Sequence, residues 1–221
     1  MKDESIMSTK GCDSSWDFNY TSRMVALVSG GYKFIGRYLN HCDGVRNGLT
    51  AAEAERISNS GVYTISLYEA DTGTSISHFT RANGIADAED AIALAKNLGI
   101  SKIYPIYFCV DVDVTKSQYT SNVEPYIEGM LSVMEEAGYK PGIYGPKPVC
   151  KKFRGSHKAT ERYTFVCDND WGKSGWSATE QDFDDWSLRQ YDWNKTLEGA
   201  SPVVIDECEA KSIGTAGGWL L

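Results

Sequence analysis

The stretch PIYFCVDVDV, residues 105–114, decides the fold prediction for this chain. Its first half is apolar and aromatic, which is typical of a strand buried on both faces. Its second half places Asp111 and Asp113 two residues apart, so on a continuing strand both side chains point to the same side. Such a pair is costly, because like charges and desolvation both oppose ionisation. It predicts either an active-site floor at the C-terminal end of a parallel strand or a solvated strand end that caps the next helix.

Strand and helix patterns alternate on both sides of this stretch. Strands are predicted at residues 11–15, 32–39, 62–69, from 105 onward, and at 142–145, 163–167, 186–191 and 203–206. Helices are predicted at residues 21–29, from a capping box at Thr50 and Glu53 to Gly61, and at 86–98 and 121–137. Residues 168–185 show no helical period. Because no GxGxxG fingerprint is present, the pattern favours an α/β fold, a single TIM-like (β/α)8 barrel that is helix-poor in its C-terminal half.

Composition limits the classes of partner and the domain organisation. The 221 residues, 42% of them hydrophobic, predict one barrel domain at residues 11–210, after a flexible N-terminal segment at 1–10. Residues 211–221 are Gly-rich and predict a closing segment or a C-terminal tail. A net charge of −8 argues against nucleic acid. Neither a signal peptide nor a membrane-spanning run is apparent, so we expect a protein that is made in the cytoplasm and does not insert into the membrane. We expect it to be a monomer and to reach the cell wall after release.

Cysteine and histidine usage gives no sign of a cofactor. The six cysteines form no CxxC pair, and most lie in or beside predicted strands, as small buried hydrophobic residues do. The three histidines show no metal-ligand spacing. We therefore predict no disulfide framework, no metal site and no cofactor.

Polar side chains recur where the predicted strands end. They are Asp13, Glu69, Asp111, Asp113, Asp168, Gln190 and Asp206. In a parallel barrel these ends converge on one face. Aromatic residues follow several of them, namely Trp16, Tyr144, Trp171, Tyr191 and Trp193. Flat rings pack against sugar C–H groups while carboxylates and amides hold hydroxyls, so the pattern predicts a glycan-binding mouth.

The same residues carry a family resemblance over residues 11–210. The motifs are Gly11-Cys12-Asp13, Tyr38-Leu39, Leu49-Thr50 with Glu53-Ala54, Tyr68-Glu69, residues 105–113, Gly142-Ile143-Tyr144-Gly145, and Asp206 with Glu209-Ala210. Together they resemble a bacterial family of glycoside-hydrolase-like TIM barrels of unknown function. That family is related to the lysozyme-type barrels of phage and fungal N-acetylmuramidases, which this chain also resembles at Arg189-Gln190-Tyr191. In those muramidases the fourth strand usually ends DxE, whereas this chain has the shorter Asp113.

The resemblance implies a glycosidase acting on peptidoglycan or a related amino-sugar polymer. Such hydrolysis needs one protonated and one ionised carboxyl. We expect Glu69 or Asp113 to be the general acid and Asp111 its ionised partner, while Asp13 orients water or the sugar.

Substrate contacts are expected from a further set: Asp206, Gln190, Tyr144, Trp171, Tyr191, Asp168 and Trp16. Two alternatives stay open. One is a non-catalytic glycan-binding module on the same barrel, and the other is a hydrolase whose carboxylates bind Mg²⁺ or Ca²⁺.

Overall fold

The computed structural model describes residues 8–70, 73–155, 163–169 and 171–221. Within them eight strands form a closed barrel in chain order. The strands are β1 (Thr9–Ser14), β2 (Phe34–Tyr38), β3 (Tyr63–Tyr68), β4 (Pro105–Cys109), β5 (Lys140–Pro146), β6 (Tyr163–Cys167), β7 (Leu188–Leu197) and β8 (Val203–Ala210). The predicted α/β class and TIM-like barrel are confirmed. No helix among the described residues is long and apolar enough to cross a membrane.

Helices cover the outside of the barrel. They are α1 (Thr21–Ser29), α2 (Ala51–Asn59), α3 (Arg81–Asn97), α4 (Lys116–Gln118), α5 (Glu124–Ala137), α6 (Lys147–Gly155) and α7 (Ala178–Gln181). The start of α3 lies earlier than predicted, because the side chain of Thr80 caps it by accepting from Asn83 N. No sequence pattern had indicated α6. After α6 the described residues form one helix, the four-residue α7, which agrees with the predicted shortage of helix in the C-terminal half.

The last strand departs from the all-parallel barrel that strand–helix alternation predicts. β8 runs antiparallel to both β7 and β1, while all the other neighbouring pairs are parallel. It also extends to Ala210, four residues beyond the predicted strand 203–206. A short connection between β7 and β8 makes a hairpin, which leaves no length for a crossover helix. As a result Asp206 reaches the mouth from the first half of its strand.

Side-chain alternation separates the barrel interior from the layer beneath the helices. Phe34, Leu67, Tyr107, Phe165 and Leu188 point inward and fill the barrel. Their strand neighbours point outward and pack against the helices. The inward position Gly36 leaves room at the mouth, since a Cβ there would lie 2.8 Å from the Cβ of Asp13.

Strand β4 ends before the two acids that follow it. Its ladder stops at Cys109, and although Val110 N still donates to Tyr144 O at 2.8 Å, residues 111–113 lie in the following loop. The prediction that Asp111 and Asp113 share one face of a strand is therefore wrong. Asp111 is half-buried at the mouth, and Asp113 is exposed.

The C-terminal segment packs at the opposite, N-terminal end of the barrel strands. Tyr107 donates its hydroxyl proton to Ala216 O at 2.7 Å, and the buried Trp219 donates from Nε1 to Ser66 Oγ at 2.9 Å. Residues 211–221 thus lie against β3 and β4. Of the segment predicted to be flexible, residues 1–7 lie outside the described residues, whereas Thr9 and Lys10 belong to β1.

A fully buried ion pair holds the loops that follow β1 and β2. Arg37 Nε donates to Glu53 Oε1 at 2.7 Å, and both side chains are inaccessible to solvent. The guanidinium also donates to the carbonyls of Ser14 and Asn47, and Glu53 Oε1 accepts from Phe18 N. Thr50 caps α2 as predicted, but the Glu53 carboxylate points to Arg37 rather than completing a capping box.

This network predicts a large loss of stability when Glu53 becomes neutral. Glu53→Gln leaves the Arg37 charge buried without its counter-ion, a change that costs about 3–5 kcal/mol in comparable pairs. Urea unfolding should show a loss of that size, with a change of less than about 0.5 kcal/mol in the control Glu55→Gln, an exposed residue of the same helix. Equal stability of both variants would contradict a structural role for the pair.

Candidate active site

Two carboxyl groups face each other across the seam that closes the barrel. In the register of β1 and β8, Asp13 lies directly opposite Asp206. Asp13 is 3% exposed, while Asp206 is half-buried nearer the solvent. Asp206 Oδ1 accepts from Asn194 N at 2.7 Å, which fixes this carboxylate against the β7–β8 hairpin. The seam therefore brings together two of the acids predicted from strand ends.

The side-chain amide of Gln190 lies between these two acids. Its Nε2 donates to Asp13 Oδ2 at 2.8 Å and to Asp206 Oδ2 at 3.3 Å. Both oxygens contact one nitrogen, so their separation cannot exceed the sum of those two distances. The Oε1 of Gln190 accepts from Tyr144 and from Trp193, each at 2.8 Å. The amide is thus saturated, and this geometry does not support the expected direct contact of Gln190 or Tyr144 with a sugar.

The surroundings of Asp13 favour its protonated form. Burial, followed by the charge of Asp206, raises the pKa of Asp13 to about 8. Hydrogen bonds from Cys208 Sγ, at 3.0 Å, and from Gln190 oppose that rise in the pKa. Both donors use Oδ2, so the proton of the neutral acid resides on Oδ1.

Asp111 completes the acid cluster on the other side of the mouth. It accepts no hydrogen bond from the residues that the structure describes. Burial and the charge of Asp206 raise the pKa of Asp111. Because none of the described residues donates to this half-buried carboxyl, it is available to a ligand. We refer to Asp13, Asp111 and Asp206 as the acid triad.

Several residues around the acid triad were not predicted. Tyr38 ends β2, and burial followed by the nearby Cys109, Asp13, Glu69 and Asp111 raises its pKa well above the ordinary value. The inward alternation Phe34, Gly36, Tyr38 is a signal that could have found it. The thiol of Cys208 was read as a generic hydrophobe, since its contact with Asp13 depends on the unpredicted direction of β8. All six cysteines are free thiols in the structure.

Glu69 lies at the mouth but is held by a cation. Its Oε2 is 3.3 Å from Arg46 Nη1, and the side chain of this buried residue is 10% exposed. Its backbone carbonyl accepts from Arg46 and from Asn40 Nδ2, the latter at 2.7 Å. An ion-paired carboxylate is stabilised in its charged form, so the geometry does not favour Glu69 as a proton donor.

Asp113 anchors a neighbouring loop. Its Oδ1 accepts from Gly172 N at 2.8 Å, which ties the loop after β6 to the loop after β4. The side chain is exposed and belongs to none of the contacts of Asp13 or Asp206. This geometry does not favour Asp113 as the general acid either.

A polar groove of about 560 Å³ opens beside the acid triad. Its lining, called here the Trp171 groove, consists of Lys147, Pro148, Asp168, Asn169, Trp171, Lys173, Gln181 and Trp193. Trp193 connects the groove to Gln190 through its indole N–H. Asp168 is paired with Lys147 and lies 3.3 Å from Arg189 Nη1, so it shapes the groove as one member of a charge network.

A second groove of about 320 Å³ borders β8 on its other side. Its lining, called here the Trp16 groove, consists of Trp16, Arg23, Thr196, Pro202, Val203 and Val204. Trp16 is 43% exposed, and Ser14 Oγ donates to Val204 O at 2.7 Å beside it. Tyr191, which was expected to contact the substrate, lies in neither lining. Burial, followed by the nearby Glu207 and Glu209, raises its pKa.

Metal binding has no geometric support in the described ranges. Among residues 8–70, 73–155, 163–169 and 171–221, no group of three or more His, Cys, Asp or Glu side chains is arranged to hold a metal ion.

Comparisons with known proteins identify relatives of this chain. The family described as "Rv2525c-like, glycoside hydrolase-like domain" matches residues 25–211. Two uncharacterized proteins of Bacillus subtilis (strain 168) are similar in sequence. FadG is 33% identical over 144 residues, which cover 63% of this chain and 25% of FadG. YbfG is 26% identical over 216 residues, which cover 92% of this chain and 29% of YbfG. The chain thus spans less than a third of either relative.

Solved structures share the fold at low sequence identity. The Tat-secreted protein Rv2525c of Mycobacterium tuberculosis, in complex with HEPES, superposes with a TM-score of 0.73 at 17% identity, covering 96% of this chain and 98% of that one. The spore cortex lytic enzyme SleM of Clostridium perfringens gives 0.61 at 14% identity, with 97% and 71% covered. The autolysin LytC of Streptococcus pneumoniae, in complex with a synthetic peptidoglycan ligand, gives 0.58 at 15% identity, with 91% and 46% covered.

The raised pKa of Asp13 predicts a pH-dependent stability. Between about pH 4, where the unfolded carboxyl ionises, and about pH 8, the folded state binds one proton more than the unfolded state. The contribution of Asp13 to the free energy of unfolding therefore falls with rising pH, by up to about 1.4 kcal/mol per pH unit. It is constant above that window.

Urea unfolding of wild type and Asp13→Asn across this window measures the effect. The stability of Asp13→Asn relative to wild type should rise from pH 5 to pH 8, while the exposed control Asp184→Asn shows no such trend. Parallel pH curves for wild type and Asp13→Asn would contradict the raised pKa.

Proposed function

Because the chain belongs to the Rv2525c-like, glycoside hydrolase-like domain family, we propose that it hydrolyses an amino-sugar glycan of the bacterial cell wall. The observation that carries this proposal is the acid triad. One buried carboxyl keeps its proton at neutral pH beside carboxyls that ionise more easily, which is the arrangement glycoside hydrolysis requires. Neighbours of the same fold include cell-wall lytic enzymes, which supports peptidoglycan as the substrate class.

Asp13 is assigned as the general acid in this proposal. Its Oδ1 donates the proton to the glycosidic oxygen as the bond from the anomeric carbon to that oxygen breaks, and the bonding electron pair stays on the leaving oxygen. Asp111, which accepts no hydrogen bond from the described residues, stabilises in its ionised form the positive charge that develops on the sugar. A water molecule then adds to the anomeric carbon, and its proton returns to a carboxylate of the triad. Burial raises the pKa of Asp206, and the hydrogen bond from Asn194 N opposes that rise. Gln190 also donates to this carboxyl.

The two grooves extend the proposal to a polymer. The Trp171 groove lies on the β6–β7 side of the triad, and the Trp16 groove lies on the β1–β8 side. Exposed aromatic surface on both sides of the acids suits a chain that continues past the cleaved bond in each direction. We therefore assign an internal position of the glycan to the triad. The Tat-secreted relative supports action outside the cytoplasm.

A second candidate is a glycan-binding module without turnover. One observation favours it. Asp113 stands where the lysozyme-type muramidases usually carry Glu, and its carboxylate accepts a hydrogen bond from Gly172 N. On this reading the same mouth and grooves bind the polymer, and the triad supplies hydrogen bonds alone.

Incubation with purified peptidoglycan across about pH 4–10 tests the proposed reaction. Wild type should release new reducing ends, with activity falling as pH rises through about 8 and Asp13 loses its proton. Asp13→Asn and Asp111→Asn should each lose on the order of 10²-fold or more.

Three matched variants serve as controls for that experiment. Asp184→Asn should keep full activity, and Glu69→Gln and Asp113→Asn should keep measurable turnover. Loss of activity confined to Glu69→Gln or Asp113→Asn would refute the assignment to Asp13. Binding of peptidoglycan without any release by wild type would favour the non-catalytic module.

The two-groove arrangement predicts a dependence on substrate length. Trp16→Ala removes the aromatic surface on one side, so the KM for long glycan strands should rise on the order of tenfold. Turnover of short oligosaccharides that do not reach the Trp16 groove should change little. Ile103→Ala, which removes an exposed apolar side chain elsewhere, is the control. An equal effect of Trp16→Ala on both substrates would argue against binding on that side.

A further inference from the structure

The hydrogen bonds of Gln190 connect the acid pair to the wall of the Trp171 groove. The amide is 2% exposed, and all four of its hydrogen-bonding positions are used by protein groups. On one side its nitrogen contacts Asp13 and Asp206. On the other side its oxygen contacts the Tyr144 hydroxyl and the indole N–H of Trp193, which itself lines the groove.

The chemistry of Trp193 decides which way this amide faces. An indole N–H donates and cannot accept, so of the two ends of the amide only the oxygen can be its partner. The Tyr144 hydroxyl can donate or accept, and it therefore tolerates either orientation. With Oε1 fixed at Trp193, the amide N–H groups must point at the two carboxyls.

We propose that Trp193 is a positioning residue, which through Gln190 holds two N–H donors against Asp13 and Asp206. The inference rests on the proposed function for its catalytic consequence, because the positioned groups are the proposed acid and its neighbour. It goes beyond that proposal by assigning a role in the acid chemistry to a residue that touches neither carboxyl.

Loss of the indole N–H has a definite electrostatic consequence. Without it the amide can turn, so that Nε2 donates to Tyr144 and Oε1 faces the two acids. A carbonyl oxygen accepts from protonated carboxyls and repels ionised ones, which favours the protonated forms. Two hydrogen bonds that stabilise the charged carboxyls are lost in the same step.

Other titratable groups lie near Asp13. They are Asp206, Cys208 and Cys12 around the seam, Asp111 and Cys109 at the end of β4, Tyr38 on β2, Tyr144 on β5 and Cys167 on β6. Trp193 also donates a hydrogen bond to Cys167, but burial raises the pKa of that thiol to about 12, so it stays neutral through the titration of Asp13. A shift in the titration of Asp13 between variants therefore reports the amide.

Carboxyl ¹³C NMR of the intact chain without substrate tests this positioning. The Asp13 signal is assigned by its loss in Asp13→Asn and is titrated in wild type, Trp193→Phe and Trp171→Phe. We expect Trp193→Phe to titrate higher than wild type by on the order of one pH unit. Trp171→Phe changes the same groove without touching Gln190, so its titration should follow that of wild type. Gln190→Met, which removes the amide, should shift the titration in the same direction.

Equal titration of Asp13 in wild type and Trp193→Phe overturns the inference, and so does an equal shift in Trp171→Phe. With active protein, the high-pH limb of peptidoglycan hydrolysis should move upward in Trp193→Phe by the same amount as the titration. A titration shift specific to Trp193→Phe, with no turnover by any variant, supports the positioning and contradicts the proposed hydrolysis. The two proposals therefore fail on different measurements.

Discussion

The antiparallel pairing of β8 with β1 is the constraint on which the mouth depends. The ladder sets Asp13 opposite Asp206, and neither strand can slip without reversing which side chains face the interior. Like charges at such a position are destabilising, and burial adds to their cost. A proton on the more deeply buried Asp13 removes the repulsion between the two charges. The amide of Gln190 lies between the two groups and donates to both. A reactive acid is therefore a direct consequence of how the barrel closes.

A second network, on the outer side of the barrel wall, keeps that arrangement rigid. Arg37 points away from the interior, and with Glu53 it binds the backbone of Ser14 and Phe18, the segment that follows Asp13. A buried ion pair contributes little net stability compared with apolar packing, but it holds several backbone groups in one geometry. The loop that leads to Trp16 is thereby fixed relative to the acid, so the Trp16 groove and the triad behave as one unit.

Local sequence patterns predict the barrel well, because strand and helix periodicities depend on nearest neighbours. Asp13, Asp111, Asp206 and Gln190 were placed at the mouth on that basis, and they do lie there. The direction of β8 was missed, since it depends on a short hairpin rather than on any period. The partners of the carboxylates were missed as well. Glu69 and Asp113 look equivalent to Asp13 in sequence, but Glu69 is paired with Arg46 and Asp113 accepts from Gly172 N. Both partners come from distant loops.

These partner choices decide where the acid chemistry resides. The carboxyls that follow β3 and β4 are the natural proton donors when strand ends alone are compared. Here one is neutralised by a cation and the other anchors a loop, while a carboxyl of β1 keeps its proton. The proton donor that we propose therefore lies at the seam between β1 and β8 rather than at the end of β4. A glycan bound along both the Trp16 and Trp171 grooves, as proposed, would cross the mouth over Asp13.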